Sequence, residues 1–327
     1  MSSLARTVLV VLAVLGLTAS LAAVAQADTI YVGWRSSPTN RVASYDVGTG
    51  ATLLDPLNDP LLKVQTQGLA ISPLDGLLYA ILSDNKTIRK FDPLTGQDKG
   101  VFATTAGTTR PIAIDSNGYL YAGLGYSTSK EARSIAKYAP DGTLVNATWG
   151  SPPIIGSTYY FANDLEIRDG KLYGSSGYGV VYWDLSTGGD PTSVLFTNNS
   201  PGVDGIAFGP DGTLYTGHCD DKAESPNARS VRMTAPPYTT LGPRILSLDY
   251  TGNYINDVDY WAGKVYAAGN KYVYRYDGQN WDQFLTGSPT ATGTSGHMAF
   301  MIPEPSTLAL LAGGLLGLLC YAWRKRR

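Results

Sequence analysis

Six short apolar segments are each preceded by a pair of residues that could do chemistry: Gln67-Gly68, Arg110-Pro111, Asn163-Asp164, Asp204-Gly205, Asn256-Asp257 and Gly296-His297. Asp164, Asp257 and His297 hold the same place in three of these pairs, and Asn163, Asp204 and Asn256 hold the place before it. Carboxylate and amide oxygens with one imidazole form a ligand set for a divalent cation such as calcium, manganese or zinc, with Asp164, Asp257 and His297 as the candidate ligands. The same residues can instead bond to main-chain groups where strands begin. Glu166 and Asp259 lie two positions further on, where other copies keep Ala70, Ala113, Ala207 and Ala299. A carboxylate in a packed strand is costly unless paired or ligated. Both therefore join the candidate site, with Arg110 and Lys171 as alternative partners.

Other chemistry is sparse. The 327 residues hold two histidines and two cysteines, too few for a histidine-rich metal site or a disulfide framework. There is no nucleophile elbow, phosphate-cradling loop or dinucleotide fingerprint. His218 adjoins Cys219, but neighbours on a strand point to opposite faces, which argues against a cysteine–histidine pair. No catalytic residue is assigned. A net charge of −2, with 16% charged residues, lacks the basic excess of a nucleic-acid binder.

The elements that position the candidate residues are strands. Thirty-seven glycines and 19 prolines disfavour a helical bundle, while 22 tyrosines argue for a packed body. The segments Leu69–Ile71, Ile112–Ile114, Leu165–Ile167, Ile206–Phe208, Val258–Tyr260 and Met298–Phe300 recur about every forty to fifty residues, a period typical of blade-like repeats. A turn follows each of the first five: Asp75-Gly76, Asn117-Gly118, Asp169-Gly170, Asp211-Gly212 or Ala262-Gly263. Next comes an apolar–tyrosine pair, in Leu78-Tyr79, Leu120-Tyr121, Leu172-Tyr173, Leu214-Tyr215 and Val265-Tyr266, with Ile30-Tyr31 as a sixth at the start. A third strand ends at Tyr45, Phe91, Tyr138, Trp183, Leu248 or Tyr276, and a variable fourth follows. Asp-x-x-Thr-Gly turns at Asp46, Asp92 and Asp184 suit this pattern, since Asp bonds to the backbone ahead and glycine closes the turn.

Four strands per repeat and six pairs predict an all-β, six-bladed β-propeller over residues 28–302. The chain opens on a second strand and closes on a first, so Met298–Met301 is expected to pair beside Ile30–Gly33 and complete the N-terminal blade. Cys219–Arg244 reads as a polar insertion between strands, a surface loop by default. The repeat resembles the NHL-like and SMP-30-like propellers, in which phrases such as Phe208-Gly209-Pro210-Asp211-Gly212-Thr213-Leu214-Tyr215 recur. An SMP-30-type lactonase would hold a channel metal with Glu, Asn and Asp. The family's motifs around Asn163, Asp204, Asn256 and Asp257 are not recognisable.

The ends read as addresses. Residues 1–27 combine Arg6, an apolar run from Val8 to Leu17 and Ala25-Gln26-Ala27, the pattern of a signal peptide. Residues 303–327 combine Pro303-Glu304-Pro305, sixteen uncharged residues from Leu308 to Trp323, and Arg324-Lys325-Arg326-Arg327. This is a short transmembrane helix with a cationic end that stays cytoplasmic. The tail resembles the PEP-CTERM sorting signal. The resemblance implies a Gram-negative bacterium with exopolysaccharide, export through the secretion translocon, and a C-terminal membrane anchor. It also implies cleavage near Pro303–Pro305 by an exosortase-type transpeptidase, leaving the body on the surface or in the matrix. The reading of the whole is a non-enzymatic binding or structural module whose partners are polysaccharide or envelope proteins. The alternative is a metal-dependent, lactonase-like hydrolase working at the channel mouth.

Overall fold

The computed structural model describes residues 28–301, apart from 35–40, 56–60, 62–65, 83, 85, 126–132, 153, 156–157, 160–161, 178, 197–201, 222–227, 249–254, 270–271 and 287–296. The signal segment and the sorting tail lie outside the described residues, among which no helix is long and apolar enough to cross a membrane.

Among the described residues the regular elements are strands. β1 (Thr29–Trp34), β2 (Arg41–Asp46) and β3 (Thr52–Leu54) open the chain. β4 (Gly68–Ile71), β5 (Leu78–Ile81), β6 (Thr87–Phe91) and β7 (Asp98–Thr104) form the next antiparallel meander. β8 (Thr108–Ile114), β9 (Leu120–Gly125), β10 (Ile135–Tyr138) and β11 (Leu144–Gly150) form another. A two-stranded hairpin, β12 (Ile154–Ile155) and β13 (Thr158–Tyr159), separates it from β14 (Leu165–Arg168), β15 (Lys171–Ser176), β16 (Gly179–Asp184) and β17 (Gly188–Phe196). Then come β18 (Gly205–Phe208), β19 (Leu214–Asp221), β20 (Ala228–Thr234) and β21 (Arg244–Leu248). They are followed by β22 (Ile255–Trp261), β23 (Lys264–Gly269), β24 (Tyr272–Tyr276) and β25 (Trp281–Thr286), and the described chain ends with β26 (Met298–Met301).

β26 joins the first sheet, in the order β26-β1-β2-β3. Thr29 faces Met301 and Val32 faces Met298, as the offset of the repeats requires. The described strands thus form six four-stranded antiparallel units, numbered here from the N-terminus. Units 3 and 4 touch at their outer edges through one parallel bridge, Gly150 to Gly189. The first strands contact one another in the cyclic order β26, β4, β8, β14, β18, β22 and back to β26.

The apolar–tyrosine pair explains the cohesion of this arrangement. Adjacent residues on a strand face opposite sides. In every copy the apolar member packs on the preceding unit and the tyrosine on the following one. Leu78 joins Tyr31 and Val42 of unit 1, while Tyr79 joins Ile112 and Leu120 of unit 3. Leu172 meets Tyr121 and Trp149, and Tyr173 meets Phe208. Ile30 and Tyr266 close the circle between units 1 and 6. A buried side chain of this size contributes roughly 1.5–3 kcal/mol, so each unit is held mainly by its two neighbours.

The turns bear out the glycine signals. Gly76, Gly118, Gly170, Gly212 and Gly263 all have positive φ. Asp169 and Ala262 are also positive, at 50° and 48°, so Asp169-Gly170 and Ala262-Gly263 make two-residue hairpins of the primed type. The other three dipeptides sit in longer turns. Tyrosine reinforces two of these: Tyr79 and Tyr121 donate their hydroxyls to Asp75 and Asp115, each at 3.1 Å.

One expectation is corrected. Residues 219–244 are not a simple insertion, because β20 lies within them and is the third strand of unit 5, paired with both β19 and β21. Leu248 therefore ends a fourth strand rather than a third. Arg229, Ser230, Arg232 and Thr234 of β20 are all buried, on both faces of the strand, so it lacks the apolar alternation that would reveal it.

Candidate functional site

The first strands line the axis of the ring, and the candidate residues lie on them or just before them. Asp164 precedes β14. Its Oδ1 accepts the N–H of Leu165 at 2.7 Å, and its Oδ2 accepts the N–H of Ile206, on β18 of the next unit, at 2.8 Å. Asp257 repeats the relationship one unit later but one: its Oδ2 accepts the N–H of Met298 on β26 at 2.6 Å. The two aspartates at matched sequence positions are thus straps between neighbouring units. They satisfy N–H groups on strand edges that have no ladder partner at the axis.

Glu166, on β14, accepts the N–H of Phe208, two residues beyond the donor used by Asp164. Its Oε2 is buried without a hydrogen-bond partner. Asp259 lies on β22, and its carboxylate senses Asp164, Glu166 and Asp257. Burial raises the pKa values of all four acids, and neighbouring carboxylates add to it. Burial pushes Asp164 up to about 7, with Asp204 adding to the effect, and pushes Asp259 up to about 8, with Asp164 adding. Glu166 and Asp257 are also held well above the carboxylate range, by burial first and by the other acids second. Asp257 is 4% exposed, while the other three keep partial access to the channel.

Asn163 turns to the next unit, donating from Nδ2 to Asp204 Oδ1 at 3.1 Å and to the carbonyl of Val203 at 3.2 Å. Asn256 is the bulged residue between Ile255 and Asp257 on β22. His297 precedes β26, and its carbonyl accepts the N–H of Gly33 at 2.9 Å. Burial, helped by the positive charge of Arg110, pushes its imidazole down to about 4. His297 is therefore neutral at physiological pH.

Asp164, Glu166, Asp257 and Asp259 come together as one electrostatic cluster, and Asn163 and Asp204 as a pair. The cation ligand set Asp164, Asp257 and His297 does not converge: among the described residues no group of three or more His, Cys, Asp or Glu is placed to hold a metal ion. The reason is visible in the hydrogen bonds, which commit both oxygens of Asp164 and one of Asp257 to main-chain donors. His218 is fully buried, with Nδ1 and Nε2 both engaged at 2.8 Å, by the carbonyl of Gly202 and the hydroxyl of Thr216, so it is not a free base.

Two features had no sequence signal. Arg168, at the end of β14, reaches across to the carbonyls of Gly209 and Pro210 and stacks over Phe208 at 5.4 Å. A cleft of about 310 Å³ lies between units 1 and 6, lined by Asp28, Asp46, Val47, Gly48, Ala262, Lys264 and Tyr266. It opens beside the chain ends, and none of the axial acids lines it.

Residues 302–327 match the family model described as the PEP-CTERM protein-sorting motif. The chain carries that sorting motif at its C-terminus. No curated protein matches the chain. Solved structures do, and they show the fold. A chain of the nidogen/laminin complex is 12% identical with a TM-score of 0.58, covering 84% of this chain and 98% of its own. A gluconolactonase from Xanthomonas campestris is 15% identical with a TM-score of 0.55, covering 80% of this chain and 83% of its own. A protein of unknown function from Bacteroides caccae is 10% identical with a TM-score of 0.57, covering 85% of this chain and all of its own. The nidogen and gluconolactonase chains are NHL-like and SMP-30-like β-propellers. At such identities they carry fold and no activity.

Proposed function

We propose that the mature body is a six-bladed β-propeller acting as a non-enzymatic binding or structural module of the cell surface or extracellular matrix, delivered there by an exosortase. Supporting six blades are the six four-stranded units, the cyclic contacts of their first strands and the six apolar interfaces between neighbours. Supporting the delivery route is the sorting motif at residues 302–327, together with the signal-peptide pattern of residues 1–27. The signal peptide is removed first, and the tail anchors the body in the membrane until the exosortase cuts near Pro303–Pro305. Polysaccharide and envelope proteins are the partners this location offers.

One observation carries the non-enzymatic reading. Asp164 and Asp257, at the axis where a propeller enzyme would place its chemistry, each spend a carboxylate oxygen on the main chain of the next blade. Burial raises the pKa values of Asp164, Glu166, Asp257 and Asp259, which favours their protonated forms. The lactonase-like alternative draws on the gluconolactonase neighbour and on Glu166 Oε2, which lacks a partner. Thermal-shift titration of residues 28–302 with calcium, manganese and zinc, each against chelator, separates the two, because a ligand that binds only the folded state raises the melting temperature. The expected result is no shift. A shift removed by Asp164→Asn or Glu166→Gln would revive the hydrolase.

A further inference from the structure

The register between β1 and β26 fixes more than ring closure. Thr29 lies opposite Met301, so Asp28, where the mature chain begins, and residue 302, where the sorting motif begins, leave the same end of the same blade side by side. Six residues, 302–307, separate β26 from the apolar run at Leu308. Fully extended they span about 20 Å. That tether cannot carry the body around to present another side.

We propose that the face of the propeller at the Met301 end is its membrane-proximal face while the tail is embedded, and that the opposite face, where Asn163, Asp204 and Asn256 begin their strands, points away from the bilayer. The proposal rests on the sorting-tail reading and adds an orientation to it. In each antiparallel blade the turns between first and second strands and between third and fourth strands lie at the Met301 end. These turns and the residues flanking them carry the exposed aspartates Asp75, Asp141, Asp184, Asp211 and Asp277, while the bases there include Lys99, 37% exposed and paired with Asp92, and the half-buried Arg168, Lys171, Arg244 and Lys264. Four of these acids, Asp141, Asp184, Asp211 and Asp277, have their pKa values lowered by backbone or side-chain hydrogen bonds within their own turns, so they stay ionised. The proximal face is therefore fixed negative. It stands off an anionic bilayer by like-charge repulsion over a Debye length of about 8–10 Å.

The test uses the full chain in lipid vesicles, with Cys219→Ser and Cys320→Ser as background and a donor dye at Asp277→Cys (proximal) or Lys86→Cys (distal). Energy transfer is read to an acceptor on the lipid headgroups. The expected result is transfer several-fold stronger from position 277 than from 86, with the difference lost when twelve Gly/Ser residues are inserted between Met301 and Pro303. On anionic vesicles the transfer from 277 should fall and recover at high salt. Equal transfer from both positions in protein that co-floats with vesicles would overturn the orientation while sparing the tail reading. Failure to co-float would overturn both. Transfer that ignores lipid charge would overturn the stand-off.

Discussion

Asp164 Oδ2 accepts the main-chain N–H of Ile206 at 2.8 Å, joining two neighbouring blades across the axis of the ring. Asp257 and Met298 repeat this at 2.6 Å where the last blade meets the first. The bond needs an acceptor and no charge. Asp164→Asn and Asp257→Asn can keep one amide oxygen on the donor of the next blade but turn Nδ2 towards the other N–H, so they should cost less than alanine without being neutral. Asp164→Ala strands the N–H of Ile206 and that of Leu165, and should cost about 1–3 kcal/mol. Urea unfolding of the three variants checks this. An alanine variant as stable as the asparagine variant would refute the strap.

The same acids set a pH dependence. A carboxyl whose folded pKa is raised binds its proton more tightly in the folded state, so stability declines with rising pH. The contribution is fully present below the unfolded values near 4 and is lost as pH rises through about 7 to 8, the folded values of Asp164 and Asp259. His297 works the other way: with a folded pKa of about 4 it favours folding increasingly as pH rises from 4 towards 6.5. The melting temperature should thus fall from about pH 4 to about pH 8, most steeply above pH 6.5 where His297 no longer opposes, and Asp259→Asn or Glu166→Gln should flatten the fall. A flat wild-type profile over this window would mean the four acids do not share their burial penalty.

Much of this was readable in the sequence, for a physical reason. The apolar–tyrosine pair records a two-sided contact, one residue for each neighbour, and every blade needs that contact in the same place, as Leu78-Tyr79 and Val265-Tyr266 illustrate. Ring closure was legible because the repeat is cut in phase, leaving Met298–Met301 without a partner until it meets β1. The strand β20 was not legible, since its buried positions hold Arg229 and Arg232, whose stems are apolar and whose heads are not. For the axis, the sequence located Asp164 and Asp257 at matched positions. It did not show that their oxygens face main-chain donors a blade away, because nothing local in a chain reports the register between neighbouring sheets.

Ring closure itself is testable. Deleting residues 298–327 removes β26 and exposes the edge of β1 together with the side chains Ile30 and Val32, which are now fully buried. An open edge of this kind invites pairing between molecules. The truncated body should lose several degrees of melting temperature and elute as oligomers, whereas a chain ending at residue 302 should stay monomeric. Equal behaviour of the two would show that the N-terminal blade is stable with three strands.

Glycines offer a sharper test of how closely the blades approach. A Cβ on Gly205 would lie 2.5 Å from the nitrogen of Val258 and 2.7 Å from the carbonyl carbon of Asp257, and one on Gly68 would lie 2.3 Å from the carbonyl oxygen of Arg110. In both cases the obstacle is the backbone of the next blade, which cannot step aside as a side chain would. Gly76, by contrast, has a φ of 67° and open space around it, so alanine there meets only backbone strain. Gly76→Ala should cost about 1 kcal/mol, and Gly205→Ala and Gly68→Ala distinctly more, on the order of 2–4 kcal/mol, with broader unfolding transitions as the ring is pried apart. If all three cost the same, the inner strands are not in the tight contact that lets Asp164 and Asp257 reach across, and the strapped axis would have to be abandoned with it.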